Sequence, residues 1–76
     1  MAEFAVILVH STGHAVQAER VLQRTGLAVK LIPTPRHLSS DCGSAVRIAA
    51  ADQESAVQAL VAAGVEIDRL ESLDAW

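Results

Sequence analysis

The chain contains a single cysteine, Cys42, in a polar stretch whose residue types could support thiol chemistry. Ser39, Ser40 and Asp41 precede it, and Gly43 follows it. Such residues are typical of loops, so we expect the sulfur to lie near the surface rather than in a core. A thiol reacts through its thiolate, which nearby cations and helix amides stabilise. Cys42 is therefore the candidate nucleophile.

Basic and hydroxyl side chains from two parts of the sequence could support this thiolate. Arg36 follows two prolines on the same stretch as Cys42, and a guanidinium there could supply positive charge or hold an anion. The second set follows the first apolar run and comprises His10, Ser11, Thr12 and His14. A histidine of this set would favour the thiolate. The hydroxyls and the first amides of a following helix would hold a terminal anion.

A metal-binding interpretation uses the same residues. His10, His14 and His37 together with Cys42 could form a four-ligand zinc set. They are spread over a predicted strand end, helix start and loop, which is a poor starting geometry for a tetrahedral site, so we assign no metal and no cofactor. The alternative function is therefore a non-catalytic module that binds a metal, an anion or a protein through residues 33–43 and His10/His14.

The composition excludes several classes of protein. With 76 residues and a net charge of −3, the chain fits one domain, residues 1–76, and its six basic residues are scattered, so we expect neither nucleic acid nor a membrane as a partner. A single cysteine cannot form an internal disulfide, and this favours the reducing cytoplasm. The absence of tyrosine and the few carboxylates near the loop give standalone acid–base catalysis little to work with.

The chain reads as two strand–helix–strand units. "FAVILV" is apolar throughout, as in a central strand, and Ser11 or Thr12 can cap the helix that follows. Leu22 matches Leu60, and Gly26 matches Gly64, at a spacing of 38 residues. The predicted elements are strands at 3–9, 27–32, 44–50 and 65–70, a helix ending near residue 24, and a helix capped by Asp52 with the apolar stripe Ala56, Val57, Leu60 and Val61.

This pattern predicts an α+β fold of the ferredoxin-like split βαβ kind, βαββαβ, with a four-stranded antiparallel sheet and both helices on one face. In that topology strand three begins where strands one and two end. His10 to His14 should therefore lie beside the loop from Pro33 to Gly43. Because a long loop costs ordering entropy, and we expect this one to add no core, we interpret it as functional rather than stabilising.

The sequence resembles a family of very short bacterial proteins described as selenium or sulfur carrier-like. The resemblance rests on "HSTGHA" with Glu19, on "VKLIPTPR", and on "SSDCG" with Arg47. It implies a compact α/β domain in which Cys42 holds a persulfide or perselenide. It also implies partners, namely donor and acceptor proteins of sulfur or selenium transfer. We expect a carrier rather than a standalone enzyme.

Overall fold

The computed structural model describes residues 3–35, 38 and 43–73, with the side chain of residue 73 excepted. The order of elements is that predicted from the sequence. They are β1 (Phe4–Leu8), α1 (Thr12–Arg24), β2 (Val29–Pro33), β3 (Ser44–Ala49), a 3₁₀ turn (Ala50–Asp52), α2 (Gln53–Ala62) and β4 (Arg69–Leu73).

The four strands form one antiparallel sheet in the order β2-β3-β1-β4. The apolar strand β1 is paired on both sides, as its composition predicted. Both helices pack on one face of this sheet. That face and the helices share a core of Ala5, Ile7, Val9, Ala15, Ala18, Leu22, Val46, Ile48, Ala56, Leu60 and Val65. The ferredoxin-like βαββαβ prediction is confirmed.

Both helices end in the same way, and this explains the 38-residue repeat. Gly26 and Gly64 have φ values of 84° and 73°, a conformation that glycine adopts without a steric penalty. The residue after each glycine donates its N–H to the carbonyl of Leu22 or Leu60, at 3.2 and 2.9 Å. This is the Schellman arrangement, in which a buried leucine near the helix end contacts the apolar residue beyond the glycine. The repeat therefore encodes two equivalent helix stops.

A second hydrophobic cluster lies on the sheet face opposite the helices, which we call the second face. Its buried members are Val6, Leu8, Ile32 and Ala45. Phe4 and Leu38 pack against them, and Leu38 belongs to the loop between β2 and β3. The expectation that this loop adds no core is therefore wrong, because Leu38 covers apolar side chains that would otherwise face water.

Two further expectations from the second half are wrong. The fourth strand was placed at 65–70, but β4 begins at Arg69, because Val65 completes the helix stop and the chain must then cross to the sheet edge. Val61 was placed in the apolar stripe of α2, yet it is 71% exposed. Leu60 faces the core, and the next residue lies about 100° further around the helix.

The start of α2 also differs from the prediction in one detail. Asp52 is the N-cap residue, but its side chain makes no capping hydrogen bond. A 3₁₀ turn leads into the helix and fixes the backbone there instead. No helix in the described part of the chain is long and apolar enough to cross a membrane.

Candidate functional site

The candidate residues that the structure describes, from His10 to His14 and Gly43, lie at one end of the sheet. Leu8, at the end of β1, lies opposite Ala45 of β3 on one side and Arg69 of β4 on the other. Pro33, at the end of β2, lies opposite Ser44 at the start of β3. This end of the sheet therefore holds the ends of β1 and β2 and the starts of β3 and β4. The meeting of β1, β2 and β3 at this end was predicted from the sequence, and the position of β4 was not. The turn from His10 to the start of α1 leaves the sheet there too.

The loop that carries the cysteine is closed at its base by backbone pairing. Thr34 donates its N–H to the carbonyl oxygen of Gly43 over 3.0 Å, one step beyond the last pair of the β2–β3 ladder. Within the loop, Leu38 donates its N–H to the carbonyl of Pro35 over 3.0 Å. Gly43 is exposed. The chain neighbour of Cys42 is thus anchored at the sheet end that also holds His10.

The start of α1 is organised by Ser11, one of the two capping residues that the sequence predicts. Ser11 has extended backbone angles, and its Oγ accepts the backbone N–H of His14 at 3.2 Å. The same Oγ lies 2.7 Å from Nδ1 of the His14 ring. Either the hydroxyl donates to Nδ1 of an imidazole that carries its proton on Nε2, or a ring that carries a proton on Nδ1 donates to the hydroxyl. The Ser11 hydroxyl thus caps α1 and at the same time orients the imidazole ring of His14.

The groups predicted to bind an anion at the start of α1 differ in how accessible they are. Thr12 and Gly13 are the first two helical residues, and both are exposed. The first backbone N–H groups of a helix point outward from its end, where an anion can approach them. The hydroxyl of Ser11, in contrast, is already engaged by His14. An anion at this end would therefore be held by backbone amides in preference to the Ser11 side chain.

His10 and Asp68 add charge-bearing groups to the same end. His10 is exposed in the turn between β1 and α1. Asp68 is also exposed, and its backbone N–H donates to the carbonyl of Leu8 over 2.7 Å. Sequence reasoning missed Asp68, because the predicted strand ran through it. The topology could have indicated it. β4 runs antiparallel to β1, so the residue just before β4 must lie beside the end of β1.

Several predicted residues lie outside the described residues. They are Arg36, His37, Ser39, Ser40, Asp41, Cys42 and Trp76. Gly43, Thr12, Ser11, His10 and His14 are the predicted site residues that the structure places. Among the residues that are placed, no group of three or more histidine, cysteine, aspartate or glutamate side chains could hold a metal ion. The zinc hypothesis required Cys42 and His37, so it stays a hypothesis.

The fold and this sheet end define a small ferredoxin-like α+β protein, and its single cysteine lies in the segment that joins β2 to β3. A family model described as "Putative Se/S carrier protein-like" matches residues 4–71. The chain belongs to this family, and the resemblance seen in its motifs is confirmed. No curated protein and no solved structure matches the chain.

Proposed function

We propose that the protein is a thiol carrier, in which Cys42 takes a sulfur or selenium atom from a donor protein and passes it to an acceptor protein. The observation that supports this most is family membership, because the family model spans the whole loop from Thr34 to Gly43. Anchoring of Gly43 to Thr34 supports it further. A cysteine bonded to an anchored residue can be presented repeatedly at the same end of the sheet. We propose that the carrier works in the cytoplasm.

The proposed loading step conserves atoms and electrons without an added oxidant. The Cys42 thiolate attacks the terminal sulfur of a donor persulfide, R–S–SH. A new S–S bond forms on Cys42, the S–S bond of the donor breaks, and the donor leaves as the thiolate R–S⁻. In the second step a nucleophile on the acceptor attacks the terminal sulfur, and Cys42 leaves as the thiolate. A terminal selenium follows the same course.

The supporting residues have distinct roles in this proposal. The exposed amides at the start of α1, with Thr12, hold the negative charge of the terminal atom. Ser11 acts by capping α1 and fixing the ring of His14. Arg36 and a histidine, His10 or His14, favour the thiolate. Ser39 and Ser40 keep the surroundings of the sulfur polar.

Native alkylation tests whether Cys42 can act in this way. The folded protein is treated with iodoacetamide across a range of pH values, and the extent of reaction is read by intact mass. We expect reaction in the folded state with a pH midpoint below the ~8.5 of an unperturbed thiol. The unfolded protein is the control, with an ordinary midpoint. A thiol that reacts only after denaturation contradicts the proposal.

Metal analysis separates the carrier from a zinc module. A carrier purified without added metal should contain no stoichiometric zinc, and chelation should leave its melting temperature unchanged. Stoichiometric zinc that is lost in His14→Ala, together with unfolding on chelation, would replace the carrier proposal with a metal site, because binding energy at a structural site is folding energy.

A further inference from the structure

We propose that the second face beside strand β2 is a docking surface for an acidic, extended segment of a partner protein. This rests on the proposed function, since a carrier must meet both its donor and its acceptor. The surface, which we call the basic patch, consists of Lys30, Arg47 and Phe4. None of these residues belongs to the loop or to the helix start described above.

The basic patch is built around two cations in direct opposition. Lys30 on β2 and Arg47 on β3 are Cα partners in the antiparallel register, so their side chains leave the same face side by side. Like charges placed opposite each other destabilise a sheet. Arg47 is held in this position by Phe4, with its guanidinium carbon 4.5 Å from the ring centroid. A carboxylate placed between these two side chains could pair with both cations.

The described part of the chain does not neutralise this pair. Neither Lys30 nor Arg47 makes an ion pair within residues 3–35, 38 and 43–73. A carboxylate on the same face, that of Glu71, lies 3.5 Å from Arg69 and is separated from Arg47 by Val6 of the intervening strand. A positive patch on a chain of net charge −3 favours a partner that presents its own acidic side chains locally.

The position of β2 indicates that the acidic segment is extended. β2 is an edge strand in the order β2-β3-β1-β4, so one side of its backbone is not paired within the sheet. A segment that pairs with this edge would place alternate side chains on the second face, next to Lys30. An aspartate or glutamate at that position would reach the exposed lysine. Main-chain hydrogen bonds to β2 would provide affinity, and the contact between the carboxylate and Lys30 would fix the register of the segment on β2.

The basic patch shares its face with the anchor of the carrier loop. Leu38 packs on Val6, Leu8, Ile32 and Ala45 on the second face. Lys30 and Ile32 are two residues apart on β2 and so point to the same side of the sheet. A partner that docks on the patch would therefore lie beside the loop, where a donor or acceptor must be for transfer to occur.

A second basic surface offers a matched control. Arg20 and Arg24 line a shallow cavity of about 430 Å³ along α1, together with Gly13 and Ala63. These arginines lie one turn apart on a single helix. They have neither an opposed cation on a neighbouring strand nor an open backbone edge. Reversing the charge of Arg20 changes the net charge as much as reversing that of Lys30, but at another surface.

The test is an NMR titration of ¹⁵N-labelled Cys42→Ser protein with a tetraglutamate peptide at low ionic strength. The serine variant excludes thiol chemistry, so failure of this test is distinct from failure of the carrier proposal. We expect shift changes at β2 and β3 amides, and Lys30→Glu should weaken binding by roughly tenfold or more. Arg20→Glu should weaken it less than threefold, which is about the loss expected from net charge alone. Lys30→Gln, which adds no negative charge, should give an intermediate loss.

Three results would overturn the inference. Equal weakening by Lys30→Glu and Arg20→Glu would mean that the peptide responds to net charge alone. Shift changes centred on α1 would place binding at the helix cavity. Inorganic phosphate that produces the same β2 and β3 shifts, with the same loss in Lys30→Glu, would show a simple anion site rather than a docking surface for an extended segment.

Discussion

Thr34 and Gly43 pair through their backbones over 3.0 Å, and this contact closes the cysteine loop directly beyond the last pair of β2 and β3. The loop therefore starts and ends at fixed points of the sheet.

The first prediction compares two glycines of different conformation. Gly26 has a positive φ, so Gly26→Ala should lower the free energy of unfolding by about 1 kcal/mol. Gly43 is not among the positive-φ residues of the described chain, and an added Cβ would meet no atom within 4 Å. Gly43→Ala should therefore leave stability within about 0.5 kcal/mol of wild type. Urea denaturation of both variants measures the difference.

If Gly43→Ala is as destabilising as Gly26→Ala, the geometry described at the loop base is wrong. If it is stable but transfers its cargo slowly to an acceptor, close approach of the partner is the reason for glycine there.

The second prediction concerns the stabilising role of the loop. Leu38→Ala should cost about 1 to 2 kcal/mol, which is less than a fully buried leucine because Leu38 is only partly buried. Val61→Ala is the control, since Val61 is 71% exposed and its truncation should change the melting temperature little. Thermal unfolding followed by circular dichroism gives both values. Equal stability of the two variants would mean that the loop does not cover the second face.

The third prediction separates the two contacts of Ser11. Ser11→Ala removes the cap of α1 and should cost about 1 kcal/mol. Ser11→Asp keeps a capping acceptor but lacks the hydroxyl proton that can be donated to His14. It should therefore retain near-native stability while changing the pH dependence of Cys42 alkylation. The measurements are urea denaturation and alkylation rate against pH.

An unchanged alkylation profile in Ser11→Asp, with the stability maintained, would show that the Ser11–His14 contact serves the helix alone. Ser11→Ala removes both contacts at once, so its alkylation profile gives the combined effect with which that of Ser11→Asp is compared.

The fold could be predicted because its signals are local and repeated. The apolar run of β1 indicated a strand paired on both sides, and the glycines at 26 and 64 marked two equivalent helix stops. Once strand order follows from the βαββαβ pattern, the meeting of His10 and the start of β3 also follows. These inferences depend on local features of the sequence, namely the pattern of apolar residues and the glycines that end helices.

The remaining features depend on contacts between distant parts of the chain. Leu38 sits among polar loop residues, and only the sheet face beneath it makes it part of a core. Asp68 lies in an alternating stretch that resembles a strand, yet the helix stop at Val65 delays pairing until Arg69. The Lys30–Arg47 opposition needs the register of β2 on β3, which sequence alone does not specify.

The most direct test of the carrier proposal is loading of Cys42 by cysteine persulfide, followed by peptide mass spectrometry with and without reductant. We expect one reductant-labile sulfur on the peptide that contains Cys42, faster loading in the folded than in the unfolded protein, and return to the starting mass when an acceptor thiol is added. His10→Ala and His14→Ala should load more slowly but to the same extent, and Cys42→Ser should not load. A folded protein that gains no sulfur, or that loads no faster than its unfolded chain, would contradict the account.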